Sequence, residues 1–129
     1  MAIGYITSLR TTRITALLTG IGTSGFLDIY DGTKPATVGG TATTRLAHIP
    51  LQATAGTVTS GVLTFNTPMT VAASASGTAT WARLTSSGGT AQADMTVGLS
   101  GADINFDSVS FVSAGTVTVS SLTITEGNA

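Results

Sequence analysis

The sequence predicts a mainly β protein: an antiparallel β-sandwich, for which a jelly roll is one suitable strand order, preceded by a short N-terminal helix. Three observations predict it. Apolar residues follow a helical period only near the N-terminus and a period of two thereafter. Turn residues separate the alternating segments at roughly 8–12-residue intervals, the spacing of sandwiches and barrels. No second helical pattern lies between the strands, which argues against parallel βαβ units. On this reading residues 1–24 form a helical segment and residues 25–129 the β-sandwich domain.

The helix is expected over Ile6 to Thr19, with Thr7 or Ser8 as its cap and Gly20 or Gly22 as its end. At 100° per residue Ile6, Leu9, Ile14, Leu17 and Ile21 share one broad face, and Arg10 and Arg13 fall inside it. Two readings of that pair stand. The preferred one is that the long side chains run past the apolar groups to water. The other is that this face meets carboxylates of a partner, which makes Arg10 and Arg13 candidate interface residues. Five threonines in the segment weaken its helix propensity, because β-branched side chains lose rotamer freedom in a helix.

From Gly25 the alternation begins, with Leu27 and Ile29 on one side and Phe26, Asp28 and Tyr30 on the other. Asp31-Gly32-Thr33-Lys34-Pro35 is turn chemistry, extended by Gly39-Gly40. Leu46 to Leu51 is the next strand, with Ala47, Ile49 and Leu51 inward. Pro50 cannot donate to a ladder, so this strand belongs at a sheet edge, and His48 and Pro50 join the candidate interface. Further strands are expected over Gly61–Asn66, Met69–Ala73, Thr78–Thr85, Ala93–Leu99, Asp103–Phe106, Val109–Val112 and Thr116–Thr125. Ile29, Leu63, Phe65, Val97, Phe106, Val119 and Ile124 are the expected core.

Composition narrows the function. The chain has 129 residues and no cysteine, so disulfides, thiolate metal sites and cysteine nucleophiles are excluded. Only 9% of residues are charged, where an ordinary soluble domain carries about 25%. Surfaces with so little charge associate readily, since nothing repels them at long range. That fits a protein covered in an assembly, or a threonine-rich adhesin-like domain. A net charge of −1 with five scattered basic residues supplies no basic stripe for nucleic acid. No signal peptide and no apolar run long enough for a bilayer are visible. The expectation is a soluble chain that stays in the cell until it is assembled or released.

Few constellations could carry chemistry. His48 is the sole histidine and has no nucleophile or orienting group at a telling spacing, so no catalytic residue is expected. Asp103-Ile-Asn105-Phe-Asp107 opens like a calcium loop, but such loops need Gly at position six and an acid at position twelve. Here those positions hold Ser108 and Ala114. The acids then form the wet face of a strand, and neither metal nor cofactor is expected. Trp81 is read first as core and second as a sugar-stacking platform beside Arg83, a possible cation–π partner.

Several segments together resemble a group of small phage and prophage proteins of the virion. They are the N-terminal helix running into GFLDIYDGTKPAT, then GVLTFN, ASGTATWARL, GLSGADINFD and a closing AGTVTVSSLTIT, in order from about Arg10 to Thr125. Group members often carry a more acidic loop before the GxSGADxN stretch. This chain has Ala91-Gln92-Ala93-Asp94-Met95 there, which weakens any shared ion site. The resemblance implies a capsid decoration (cement) protein, or a tail or fibre component, and brings no catalytic residues. Its implied partners are the phage major capsid protein and further copies of the chain, as a dimer or trimer. Its implied location is the virion, assembled in the host cytoplasm. The rival from another class is a carbohydrate-binding module using Trp81 or Tyr30.

Overall fold

The computed structural model describes residues 4–67, 69–106, 108–119 and 121–125. It is mainly β, with one helix, α1 (Thr7–Ile21), and twelve strands among the described residues. These are β1 (Phe26–Tyr30), β2 (Arg45–Pro50), β3 (Gly56–Thr59), β4 (Val62–Phe65), β5 (Met69–Ala72) and β6 (Gly77–Thr78), followed by β7 (Trp81–Thr85), β8 (Ala91–Gly98), β9 (Ile104–Asn105), β10 (Ser110–Phe111), β11 (Thr116–Val119) and β12 (Thr123–Thr125). The largest sheet has the order β2-β1-β7-β8-β9, beside a β12-β4-β3 sheet and the two-stranded ladders β10-β6 and β11-β5.

The helix starts on an uncapped Ile6, not on a Thr7 or Ser8 cap, and ends at Gly22 with φ 68°. Thr12 and Thr15 turn their hydroxyls back to the carbonyls of Ser8 and Thr11, the usual refuge of a mid-helix threonine. The expected apolar face is only partly buried. Ile14 and Ile21 are in the core, Leu17 is half-buried, and Ile6 and Leu9 are exposed. The buried stripe runs Arg10, Ile14, Leu17, Ile21, spaced four, three and four residues apart. Arg10 therefore lies over the turn that joins β3 to β4: a Cβ on Gly61 would sit 3.2 Å from its Cβ.

That hairpin was not anticipated at β3. Ser60 and Gly61 both have positive φ, 51° and 77°, the conformation of a two-residue turn whose twist matches its strands. Two long expected strands are each divided, because the chain changes partner while staying extended. Residues 78–85 pass from β6, paired to β10, into β7, paired to β1 and β8. Residues 116–125 pass from β11, on β5, to β12, on β4. β8 and β9 pair in parallel, contrary to the all-antiparallel expectation, across only Val97↔Ile104 and Gly98↔Asn105.

One hydrophobic cluster gathers both sets of strands. Leu27, Ile29, Ala47, Ile49, Ala82, Leu84, Met95 and Val97 from the large sheet meet Leu63, Phe65, Met69, Val117 and Val119 from the smaller ladders, with Leu122 just before β12 and Ile14 and Ile21 of the helix. Five of the expected core residues, Ile29, Leu63, Phe65, Val97 and Val119, are buried; Phe106 and Ile124 are only half-buried against the cluster. Leu46 is buried as well, although alternation placed it outside. The register of β1 on β2 slips between Ile29 and Tyr30, and the extra residue of such a bulge takes Leu46 out of phase.

Candidate functional site

The site lies on the face of the large sheet that turns away from the hydrophobic cluster. Strand alternation puts Phe26, Asp28 and Tyr30 of β1 on that face, as the sequence indicates. Pairing then sets four polar residues directly opposite one another across four strands: His48 on β2, Asp28 on β1, Arg83 on β7 and Asp94 on β8. Cross-strand neighbours are about 5 Å apart, so opposite charges in one row attract.

At one end Arg83 grips Asp94 with both arms, Nε to Oδ1 at 2.7 Å and Nη2 to Oδ2 at 3.1 Å. The two side chains are 10% and 2% exposed, so this fork is well shielded. The hydrogen bond Arg83 donates to Asp94 holds the guanidinium pKa above its ordinary value, against the opposing effect of burial. Arg83 Nη2 also donates to the Gly40 carbonyl at 3.0 Å, and the guanidinium carbon lies 5.0 Å from the centre of the Trp81 ring. Both contacts tie the residue to its surroundings.

Trp81 is fully buried, yet it does not belong to the main cluster. It lies on this opposite face, stacked on Tyr30 at 4.3 Å and covered by the segment from Asp31 to Thr44. Its Nε1 donates to the Asp31 carbonyl at 2.9 Å and to Thr43 Oγ1 at 3.0 Å. Thr80 Oγ1 donates to the Gly32 carbonyl at 2.6 Å, and Thr44 N to Asp31 Oδ1 at 3.0 Å. A loop that sequence alone marks only as turn chemistry is thus the lid of a second, smaller core. Trp81 and Tyr30 are 0% and 8% exposed, so neither offers the open ring that a sugar platform needs. Burial raises the Tyr30 hydroxyl pKa, and the Asp28 charge adds to the rise.

At the other end of the row His48 stacks on Phe26, ring centres 4.0 Å apart, and its Nδ1 contacts Asp28 Oδ1. A carboxylate only accepts, so Nδ1 carries the hydrogen and donates it. Arg45 Nη1 stands 3.3 Å from that same nitrogen, but two donors do not bond one another. Both converge on Asp28, whose Oδ2 is 3.8 Å from Arg45 Nη1. Asp28 is nearly buried, while Arg45 and His48 are 47% and 39% exposed. Beside them an open cleft of about 350 Å³ is lined by Phe26, Asp28, Tyr30, Arg45, His48, Arg83, Thr85 and the Ser87–Gly89 turn.

The candidate interface residues fall on two different parts of the fold. His48 and Pro50 lie on β2, an edge strand as expected. The edge is a poor template for another strand. Leu51 N bonds inward to the Gly25 carbonyl, so the alternate residue Pro50 faces outward, where it has no N–H to give. Further along, the Leu46 carbonyl already accepts from Ser74 N. Arg10 and Arg13 lie on α1, which packs on β3, β4 and β8. Arg10 Nη2 donates to Thr7 Oγ1 at 3.0 Å, while its Nε is buried without a partner. Arg13 lies 4.6 Å over the Tyr5 ring.

The Asp103 stretch does a different job from the one a calcium loop would require. Asp103 Oδ2 accepts from Thr96 N at 3.0 Å and Oγ1 at 3.2 Å, and Asp103 N donates to Thr96 Oγ1. Asn105 Oδ1 accepts from Ala102 N at 3.1 Å. These bonds close the tight connection between β8 and β9. Asp107 lies outside the described residues. Among the described residues no three His, Cys, Asp or Glu side chains gather, and no helix is long and apolar enough to cross a membrane.

Sequence reasoning missed the Asp28–Arg83–Asp94 row and the lid. Each acid or arginine stood at a polar position of an alternating strand, which was a usable signal, but their mutual register was not written locally. Comparison with protein-family models, with curated proteins and with solved structures finds no match.

Proposed function

We propose that this chain is a structural protein of a bacteriophage particle, a capsid decoration protein that binds the major capsid protein lattice as a dimer or trimer. The resemblance of its segments to small virion proteins motivates the reading. The observation that supports it best is at the start of α1. Ile6 and Leu9 are 73% and 42% exposed, and with Arg13 they form one stripe at spacings of three and four residues. An apolar step flanked by arginine, on a chain with few charges, suits a contact that excludes water and is oriented by a partner's carboxylate. The blunted edge of β2 directs assembly to side-chain surfaces such as this one rather than to strand addition. We also read the large sheet and the smaller ladders, which share one cluster, as the two layers of a β-sandwich.

Purified virions test the reading. Quantitative mass spectrometry should find the chain in hundreds of copies per particle, and light scattering of the free protein should give a multiple of 12.8 kDa. Ile6→Asp should dissociate the oligomer without lowering its thermal midpoint. Absence from particles would end the proposal, and a handful of copies would move the protein to the tail or fibre.

A further inference from the structure

We infer that the cleft between the Phe26–His48 stack and the Ser87–Gly89 turn is a binding site for a neutral polyhydroxylated ligand, a sugar residue. The volume of about 350 Å³ lies at the small end of ligand pockets, about 300–1,000 Å³. Its lining decides the class. Asp28 sits at the floor, so an anion entering there meets a carboxylate. Arg45 stands at the rim, half-exposed, so a cation meets a guanidinium. Arg83 is already held by Asp94 and Gly40. A charged guest gains little from walls of both signs, whereas hydroxyl groups both donate and accept.

The floor has unused hydrogen-bonding capacity. Among the described residues the only buried side-chain polar atom without a partner is Arg10 Nε, on α1. Tyr30, Thr85 and Asp28 line the cleft; the Tyr30 and Thr85 hydroxyls are not among the buried atoms left unpartnered, and Asp28 Oδ2 faces Arg45 Nη1 at 3.8 Å, beyond hydrogen-bond reach. His48 is fixed through Nδ1, which in the neutral ring leaves Nε2 as an acceptor. An acceptor carboxylate, two hydroxyls and the Arg45 guanidinium beside the stacked rings of Phe26 and His48 match a sugar's hydroxyls and its apolar ring face. Buried side chains hold the floor in place beforehand, since Asp28 and Tyr30 are 5% and 8% exposed. The site is distinct from the Trp81 platform, which burial removes, and it does not rest on the virion reading.

The test is titration of the uniformly ¹⁵N-labelled full chain with glucose, galactose, mannose and N-acetylglucosamine, with a neutral-oligosaccharide array in parallel. Sodium sulfate and methylammonium chloride serve as charged controls. A neutral sugar should shift the amides of Phe26, Asp28, His48 and Gly88, and Asp28→Asn should weaken that binding at least tenfold. Gly88→Phe should do the same by filling the cleft, because a Cβ there meets only Ser86 Oγ, 4.0 Å away; this variant decides if Asp28→Asn fails to fold. No response to any sugar on either assay overturns the inference. So does a larger response of these amides to sulfate or methylammonium, or sugar binding unchanged by filling the cleft.

Discussion

Removing the charge from Asp94 is the sharpest test of how the outer face of the large sheet is held. In Asp94→Asn the amide oxygen can still accept from Arg83 at one position. At the other an N–H now faces the guanidinium N–H, and the positive charge loses its counter-ion. The guanidinium keeps the Gly40 carbonyl at 3.0 Å and the Trp81 ring at 5.0 Å, so it is not left wholly unpartnered. Breaking a buried pair costs about 3–5 kcal/mol, and Arg83, 10% exposed, retains some solvent, which places the loss near 3 kcal/mol. Urea unfolding followed by the fluorescence of the single tryptophan measures it, because Trp81 moves from full burial to water. The double variant Arg83→Met with Asp94→Leu should recover most of that loss, since an apolar pair needs no counter-charge. A loss below about 1 kcal/mol in Asp94→Asn would refute the claim that the pair is shielded and structural.

Four further outcomes are expected. Trp81→Phe should cost about 1–3 kcal/mol, because it removes the Nε1 hydrogen bonds to the Asp31 carbonyl and Thr43 Oγ1, and should speed amide exchange selectively across residues 31–44. Gly61→Ala should cost about 1–2 kcal/mol in chemical denaturation, because φ is 77° and the new methyl crowds Arg10. Burial raises the Tyr30 pKa above its ordinary 10.0, so the folded state holds that proton where the unfolded chain releases it. Its contribution to stability is full below pH 10 and is lost as pH rises through the folded value; Tyr30→Phe should remove that part of the alkaline loss in a pH series of urea midpoints. Thermal midpoints with calcium and with excess chelator should coincide, since the Asp103 carboxylate is engaged by Thr96, and a midpoint rising with free calcium would contradict this.

Much of the architecture was legible locally, and its gaps have local explanations. The apolar positions of 116–125 change phase, from Val117 and Val119 to Leu122 and Ile124. That slip marks the passage from β11 to β12. Val58, Ser60-Gly61 and Leu63 carry the alternation and turn of the β3–β4 hairpin, and the signal was weak only because threonine fills the positions between. Ile6 and Leu9 matched the helical face but stay exposed, because the buried part of that face begins only at Ile14, and period alone does not say how far a face is covered.

By itself the sequence determined the element types, the edge position of the Pro50 strand, the absence of thiol chemistry and the sides on which Asp28 and Leu27 project. Each of these follows from the period of a single strand or the covalent nature of a single residue. Tertiary structure alone decided that Asp28, His48, Arg83 and Asp94 form one row, because lateral register is set by partners up to 55 positions apart in the chain. It decided, too, that Trp81 is buried away from the main cluster, under residues 31–44. Alternation reports which way a side chain points and not what covers it, and the cover here is a loop held by hydrogen bonds to residues 43–50 positions downstream.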